Sequence, residues 1–230
     1  MFMSHSCEHH VHCIAIVPIF AHLSVEEMGE VATITKERPY QKGQYIYHAG
    51  DNRKEMYVLH TGKVKVFRLS ADGKEQVLRT VSPGEFFGEL SLFGRQRQSD
   101  SAVALEDAAM CVIEWDQLRT LMERIPSIAF KVMEQLSARL AQTESLLEQT
   151  NLLPVEQRIA RYLLEISDGA NSFNLPLSKG DLASLLGMSQ ETLSRRLASL
   201  SQEGYITLEG QRGITIVDRI GLQAYVDSLW

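Results

Sequence analysis

The residues best placed to do chemistry lie in the segment Leu182-Ala-Ser-Leu-Leu-Gly-Met-Ser-Gln-Glu-Thr-Leu-Ser-Arg-Arg-Leu197. Leu182, Leu186, Met188 and Leu193 are apolar at spacings that let two short helices pack on each other. Ala183 is small where the helices would cross, and Gly187 falls where the chain must turn through a positive φ. Ser189 is placed to cap the second helix. That phase puts Gln190, Glu191, Ser194 and Arg195 on the exposed N-terminal half of the helix, the part that suits a DNA major groove. There a Glu can accept from cytosine N4, and an Arg can fork onto guanine O6 and N7. Lys179, Ser189, Thr192, Arg196 and Arg212 suit phosphate contacts, which position a protein without specifying sequence. Arg196 stands where packing would usually place an apolar residue, so its stem is expected to cover the core while its head reaches out. An interaction-only module of the same shape is the alternative, but it has no use for an exposed Glu-x-x-Ser-Arg.

A second group of reactive side chains opens the chain. Cys7 and Cys13 lie among His5, His9, His10 and His12, and the third cysteine is Cys111. Thiolates and imidazoles are natural ligands for zinc, iron or an iron–sulfur cluster. An odd cysteine count argues against a structural disulfide framework. Plain packing of Cys111 in an apolar strand and a solvated His-rich tail are the bland alternatives. Enzyme motifs are missing: there is no Gly-x-Ser-x-Gly, no phosphate-binding loop and no His-Glu-x-x-His. A terminal Cys–His arm is poorly preorganised for catalysis, so no enzymatic role is expected.

Charge tempers the nucleic-acid reading. The net charge is -6, and residues 151–230 carry seven Lys/Arg against nine Asp/Glu. Binding must then rest on where a few arginines sit and not on a basic surface. No run approaches the ~20 apolar residues of a membrane span, and the polar N-terminus does not resemble a secretory signal. A cytoplasmic location without membrane contact is expected.

The elements that must hold these residues can be read from texture. Residues 1–22 form the Cys/His-rich arm, and Ser24-Val-Glu-Glu27 carries a capping-box pattern for a short helix. Within 23–126, β-rich runs at Gln44–His48, Met56–His60, Lys63–Leu69, Glu75–Val81 and Ala108–Glu114 alternate with turn signals such as Asp72-Gly73. They predict an antiparallel sandwich or barrel. Residues 127–150 lack Gly and Pro, and Met133, Leu136, Leu140, Thr143 and Leu147 recur at spacings of three and four. That is a seam along which two copies could pair, or the face of a helix lying on its own domain. From 151 to 230 the pattern predicts helices at 155–167 (closed by Asp168-Gly169), 179–186 and 190–203. Strands at Ile206–Leu208 and Ile214–Val217 around a Gly210–Gly213 turn complete a winged helix. The fold class is α+β.

With these motifs in order, the chain resembles the CRP/FNR regulator family over essentially its whole length. Phe86-Phe-Gly-Glu-Leu-Ser-Leu-Phe93 looks like the turn in that family's sensory β-roll, a jelly roll like a cyclic-nucleotide-binding domain. The resemblance implies a homodimer that binds a double-stranded palindromic operator and contacts RNA polymerase. Glu191-Thr-Leu-Ser-Arg195 is closer to the FNR branch, which implies half-sites like TTGAT-N4-ATCAA. Gly88, Glu89, Leu90, Arg97 and Ser99 fall in what looks like a degenerate nucleotide pocket. The family's cyclic-nucleotide binders place an Arg and a Ser or Thr for the phosphate, whereas here Arg97 is out of register and Asp100 would repel it. That departure disfavours cyclic AMP, although a one-residue gap would restore Arg97. The arm more closely resembles FNR-like proteins of lactic acid bacteria, which implies a Cys13–Cys111 thiol–disulfide pair and no cofactor. A metal or iron–sulfur cluster held by Cys7, Cys13, Cys111, His9, His10 and His12 is the second implication.

Overall fold

The computed structural model describes residues 17–93 and 97–227. Ser24 caps the first helix, α1 (Val25–Ile34), by accepting from the Glu27 amide, while the Glu27 side chain accepts from the Ser24 amide. The expected capping box is present. β1 (Thr35–Tyr40), β2 (Tyr45–Tyr47), β3 (Glu55–Thr61), β4 (Val64–Leu69), β5 (Glu75–Val81) and β6 (Phe86–Phe87) follow. The short α2 (Glu89–Phe93) leads to β7 (Ser101–Ala104) and β8 (Ala108–Glu114). These strands form two four-stranded antiparallel sheets, ordered β1-β8-β3-β6 and β2-β7-β4-β5. The expected antiparallel sandwich is realised.

Two cores use opposite faces of one sheet. Tyr57, Leu59, Met110 and Val112 point into the space between the sheets, with Ile46, Tyr47, Val64, Val66 and Ala102. Met56, Val58, Cys111 and Ile113 alternate with them and join Val31, Leu118, Leu121, Ile128 and Val132 on the helical side. Burial on both faces explains why β3 and β8 read as continuous apolar runs. β1 escapes prediction because Thr-Lys-Glu-Arg-Pro-Tyr lacks such a run. It lies at the sheet edge, where Pro39 is tolerated.

α3 (Trp115–Arg124) follows, and the long α4 (Pro126–Leu152) spans the helix expected over 127–150. Two compact units divide within α4, between Leu140 and Ala141. The second contains α5 (Val155–Ser167), β9 (Ser172–Asn174), α6 (Lys179–Leu185) and α7 (Gln190–Gln202). It ends with β10 (Ile206–Glu209), β11 (Gly213–Ile216) and α8 (Arg219–Asp227). β9 adds a third strand to the wing, in the order β10-β11-β9. α5 closes on Asp168, a non-glycine residue at φ 44, followed by Gly169 at φ 82.

Candidate functional site

The turn between α6 and α7 is built as its residues require. Leu182, Ala183, Leu186, Leu193 and Leu197 are all buried, so both helices face one core. Gly187 takes φ 68, a conformation costly for side chains with a Cβ. The Met188 amide donates back to the Ala183 carbonyl at 2.9 Å. Ser189 accepts from the Thr192 amide at 3.1 Å, and the two hydroxyls lie 2.8 Å apart. With the buried leucines fixing the helix phase, Gln190, Glu191, Ser194 and Arg195 stand exposed on the first turns of α7. Glu191 and Arg195 pair at 3.6 Å across one turn, with 78% and 70% of their side chains in solvent.

The phosphate candidates divide. Lys179 opens α6 behind its cap Ser178, and Arg212 lies exposed in the wing turn. Arg196 is engaged: its guanidinium pairs with Glu156 at 2.8 Å, tying α7 to α5. A Cβ on Gly180 would sit 3.2 Å from the Gln190 side-chain oxygen, so Gln190 lies against the start of α6.

In the β-sandwich, Gly88 takes φ 85, and a Cβ there would meet the Glu55 carbonyl at 2.8 Å. Glu89 is 4% exposed, yet Arg97 and Ser99 are exposed and Leu90 is 52% exposed. Ser99 accepts from Arg68 at 3.0 Å. Arg139 from α4 pairs with Glu89 at 2.6 Å, donates to the Phe86 carbonyl at 3.0 Å and lies over the Phe86 ring. Arg79 stands 3.7 Å from the same carboxylate, its guanidinium pressed below its usual range by burial and by Arg139. Asp100 is buried and accepts from the Tyr47 hydroxyl at 2.9 Å. Burial pushes its carboxyl above the usual range. Arg139 and Tyr47 gave no sequence signal, because their partners lie 50 and 53 residues away, and no motif marked Arg79, ten residues from Glu89.

On α4, Met133, Leu140, Thr143 and Leu147 are exposed, while Leu136 packs against the helical core of its own domain. Phe130, 68% exposed and three residues before Met133, extends the stripe by a turn. The alternating spacing of three and four points instead to Ala129, so Phe130 lies beside the seam that the sequence announced. Cys111 is buried on β8, in register with Glu37 and Val58. Cys7, Cys13, His5, His9, His10 and His12 lie outside the described residues. Among the described residues no three metal-ligating side chains gather.

Residues 37–125 match the family described as "Cyclic nucleotide-binding domain", and residues 157–225 match "Crp-like helix-turn-helix domain". A cyclic AMP receptor protein of Thermus thermophilus is 32% identical over 191 residues, covering 83% of this chain and 88% of that protein. The transcriptional activator protein Anr of Pseudomonas protegens is 30% identical over 210 residues, covering 88% and 85%. Among solved structures, FixK2 from Bradyrhizobium japonicum is 25% identical and covers 83% of this chain and 96% of that one, with a TM-score of 0.72. A mixed fold of sensory sandwich and helix-turn-helix thus has close counterparts among DNA-binding regulators. The chain belongs to the CRP/FNR family of transcription regulators. Regulators of this family bind DNA through the helix-turn-helix and act as dimers, and the relatives are not enzymes.

Proposed function

We propose that the chain reads a TTGAT-N4-ATCAA-like palindrome as a homodimer and acts with RNA polymerase in the cytoplasm. Glu191, Ser194 and Arg195 read bases, with Gln190 beside them. Lys179, Ser189, Thr192 and Arg212 hold phosphates. One observation carries the reading: buried leucines phase α7 so that its Glu, Ser and Arg stand together in solvent on the first turns. The Phe130–Leu147 stripe on α4 is the surface for the second copy. Selection from a random duplex library should recover paired TTGAT half-sites. Enrichment of an unrelated motif, or of none, would overturn the reading.

The signal is proposed to reach the protein through its cysteines. Val17, Ile19 and Phe20 belong to the same buried core as Cys111. Cys13 precedes Val17 by four residues, a reach of at most ~14 Å for extended chain. A Cys13–Cys111 pair that loses two protons and two electrons to an oxidant is the first form of this sensor. A metal or iron–sulfur cluster drawing on Cys7, Cys13, Cys111, His9, His10 and His12 is the second. Elemental analysis and a visible spectrum of anaerobically purified protein separate the two. A cyclic-nucleotide-responsive regulator of the same fold is the alternative. The buried Asp100 opposes a phosphate there, and Glu89 is already held by Arg139.

A further inference from the structure

Three consecutive residues at the start of α5 each leave the helix toward a different element. Glu156 pairs with Arg196 of α7 at 2.8 Å. Gln157, 4% exposed, donates to the Tyr225 carbonyl of α8 at 3.1 Å. Arg158, 8% exposed, donates to the Leu186 carbonyl at 2.6 Å. Leu186 is the C-cap of α6, so Arg158 adds a donor at a helix end, where carbonyls run out of intrahelical partners. The next residue is Gly187, and α7 begins three residues on, at Gln190. Arg158 therefore fixes the point from which α7 leaves, and Glu156 fixes the helix beside Arg195, one residue from its own partner.

One contact holds the turn before α7 and the other holds Arg196 within it. An apolar side chain at 158 would fill the space without the desolvation cost of a guanidinium, but it could not specify where the turn carbonyl sits. We propose that Arg158 and Glu156 are specificity-determining positioning residues. Without touching DNA they set the pose in which α7 presents Glu191, Ser194 and Arg195, and Arg196 serves that pose and not a phosphate. This rests on the DNA-reading function proposed above.

The test measures affinity of the full chain for the TTGAT-N4-ATCAA duplex and for a scrambled duplex of equal composition. Changes in net charge act on both duplexes through the phosphates, so their ratio isolates the pose. E156R and R196E should each lower the ratio by roughly tenfold, the scale of a lost base contact. The exchange E156R/R196E should restore it, and R158M should lower it. Loss of R158M to misfolding leaves the exchange of the partly exposed pair to decide. A ratio unmoved by either single change, an exchange that fails to recover it, or equal loss on both duplexes in R196E would overturn the proposal. Amide exchange without DNA gives a readout independent of the operator. Gly187, Met188 and the first turn of α7 should exchange faster in E156R and return to wild-type rates in the exchanged pair. Unchanged rates overturn the positioning role. A wild-type chain that does not prefer the operator overturns the function reading alone.

Discussion

At Arg195 the guanidinium lies one helical turn from the Glu191 carboxylate, and both side chains are largely in solvent. A pair so exposed adds little to stability, which fits the base-reading role proposed for it. Arg195→Ala should leave thermal stability unchanged and cost ~1–3 kcal/mol of discrimination at the guanine of the half-site. Gel-shift competition with single-base variants checks this, and an unchanged preference would sink the assignment. At Asp100 the protonation state is tied to stability. Burial raises its pKa most; the Tyr47 hydrogen bond and the Arg68 and Arg79 charges offset part of that, and Glu89 adds to it. The folded protein therefore holds the Asp100 proton more tightly than the unfolded chain, and stability falls as pH rises through the raised pKa. Asp100→Asn keeps an acceptor for Tyr47 and should raise the Tm at pH 7. The gain should vanish below the ordinary aspartate value of 3.8. A gain that persists in acid would show that ionisation is not its source.

The α6–α7 turn passes through Gly187 at φ 68, which a side chain with a Cβ adopts at a cost of roughly 1–2 kcal/mol. Gly187→Ala should lower the stability of the winged unit by about that much and weaken operator binding, as thermal melts and titrations would record. On α4, Leu140 is 60% exposed in the protomer, so Leu140→Lys costs the fold little. It should nevertheless drive sedimentation toward the monomer if the stripe joins two copies. A dimer that survives the change would place the interface elsewhere. The sequence foresaw the extent of α7 to within a residue, because a cap, a glycine and buried leucines are close neighbours in the chain. It missed β9 and α8: Ser-Phe-Asn is too short to show a period, and the Asp218 side chain that caps α8, accepting from the Gly221 amide at 2.8 Å, was a signal left unread.

For the whole molecule, an acidic chain with a net charge of -6 lacks a general attraction to DNA. A few contacts per protomer, doubled by dimerisation, must then supply the affinity. Control of that dimer is where the cysteines would act. Operator affinity should differ between reduced and oxidised protein, and Cys13→Ser should erase the difference. Equal affinities in both states, with no metal in the purified protein, would remove the cysteines from sensing. Arg139 joins the helix that carries the stripe to Glu89 and Phe86 in the sandwich.

Helix caps, turn glycines, the phase of the reading helix and most strands were legible from residue order, because each depends on neighbours a few positions away. The exposure of Glu191, Ser194 and Arg195 was legible that way, and so was that of Met133, Leu140 and Leu147. Leu136 was not separable from them until the adjacent core showed which side of α4 it faces. The clasp of Arg139 on Glu89 spans 50 residues of chain, and Arg158 meets Leu186 across 28. Contacts of that range leave no period or motif behind. They exist only once sheets and helices have packed, when a buried charge must find whatever partner the fold has brought beside it.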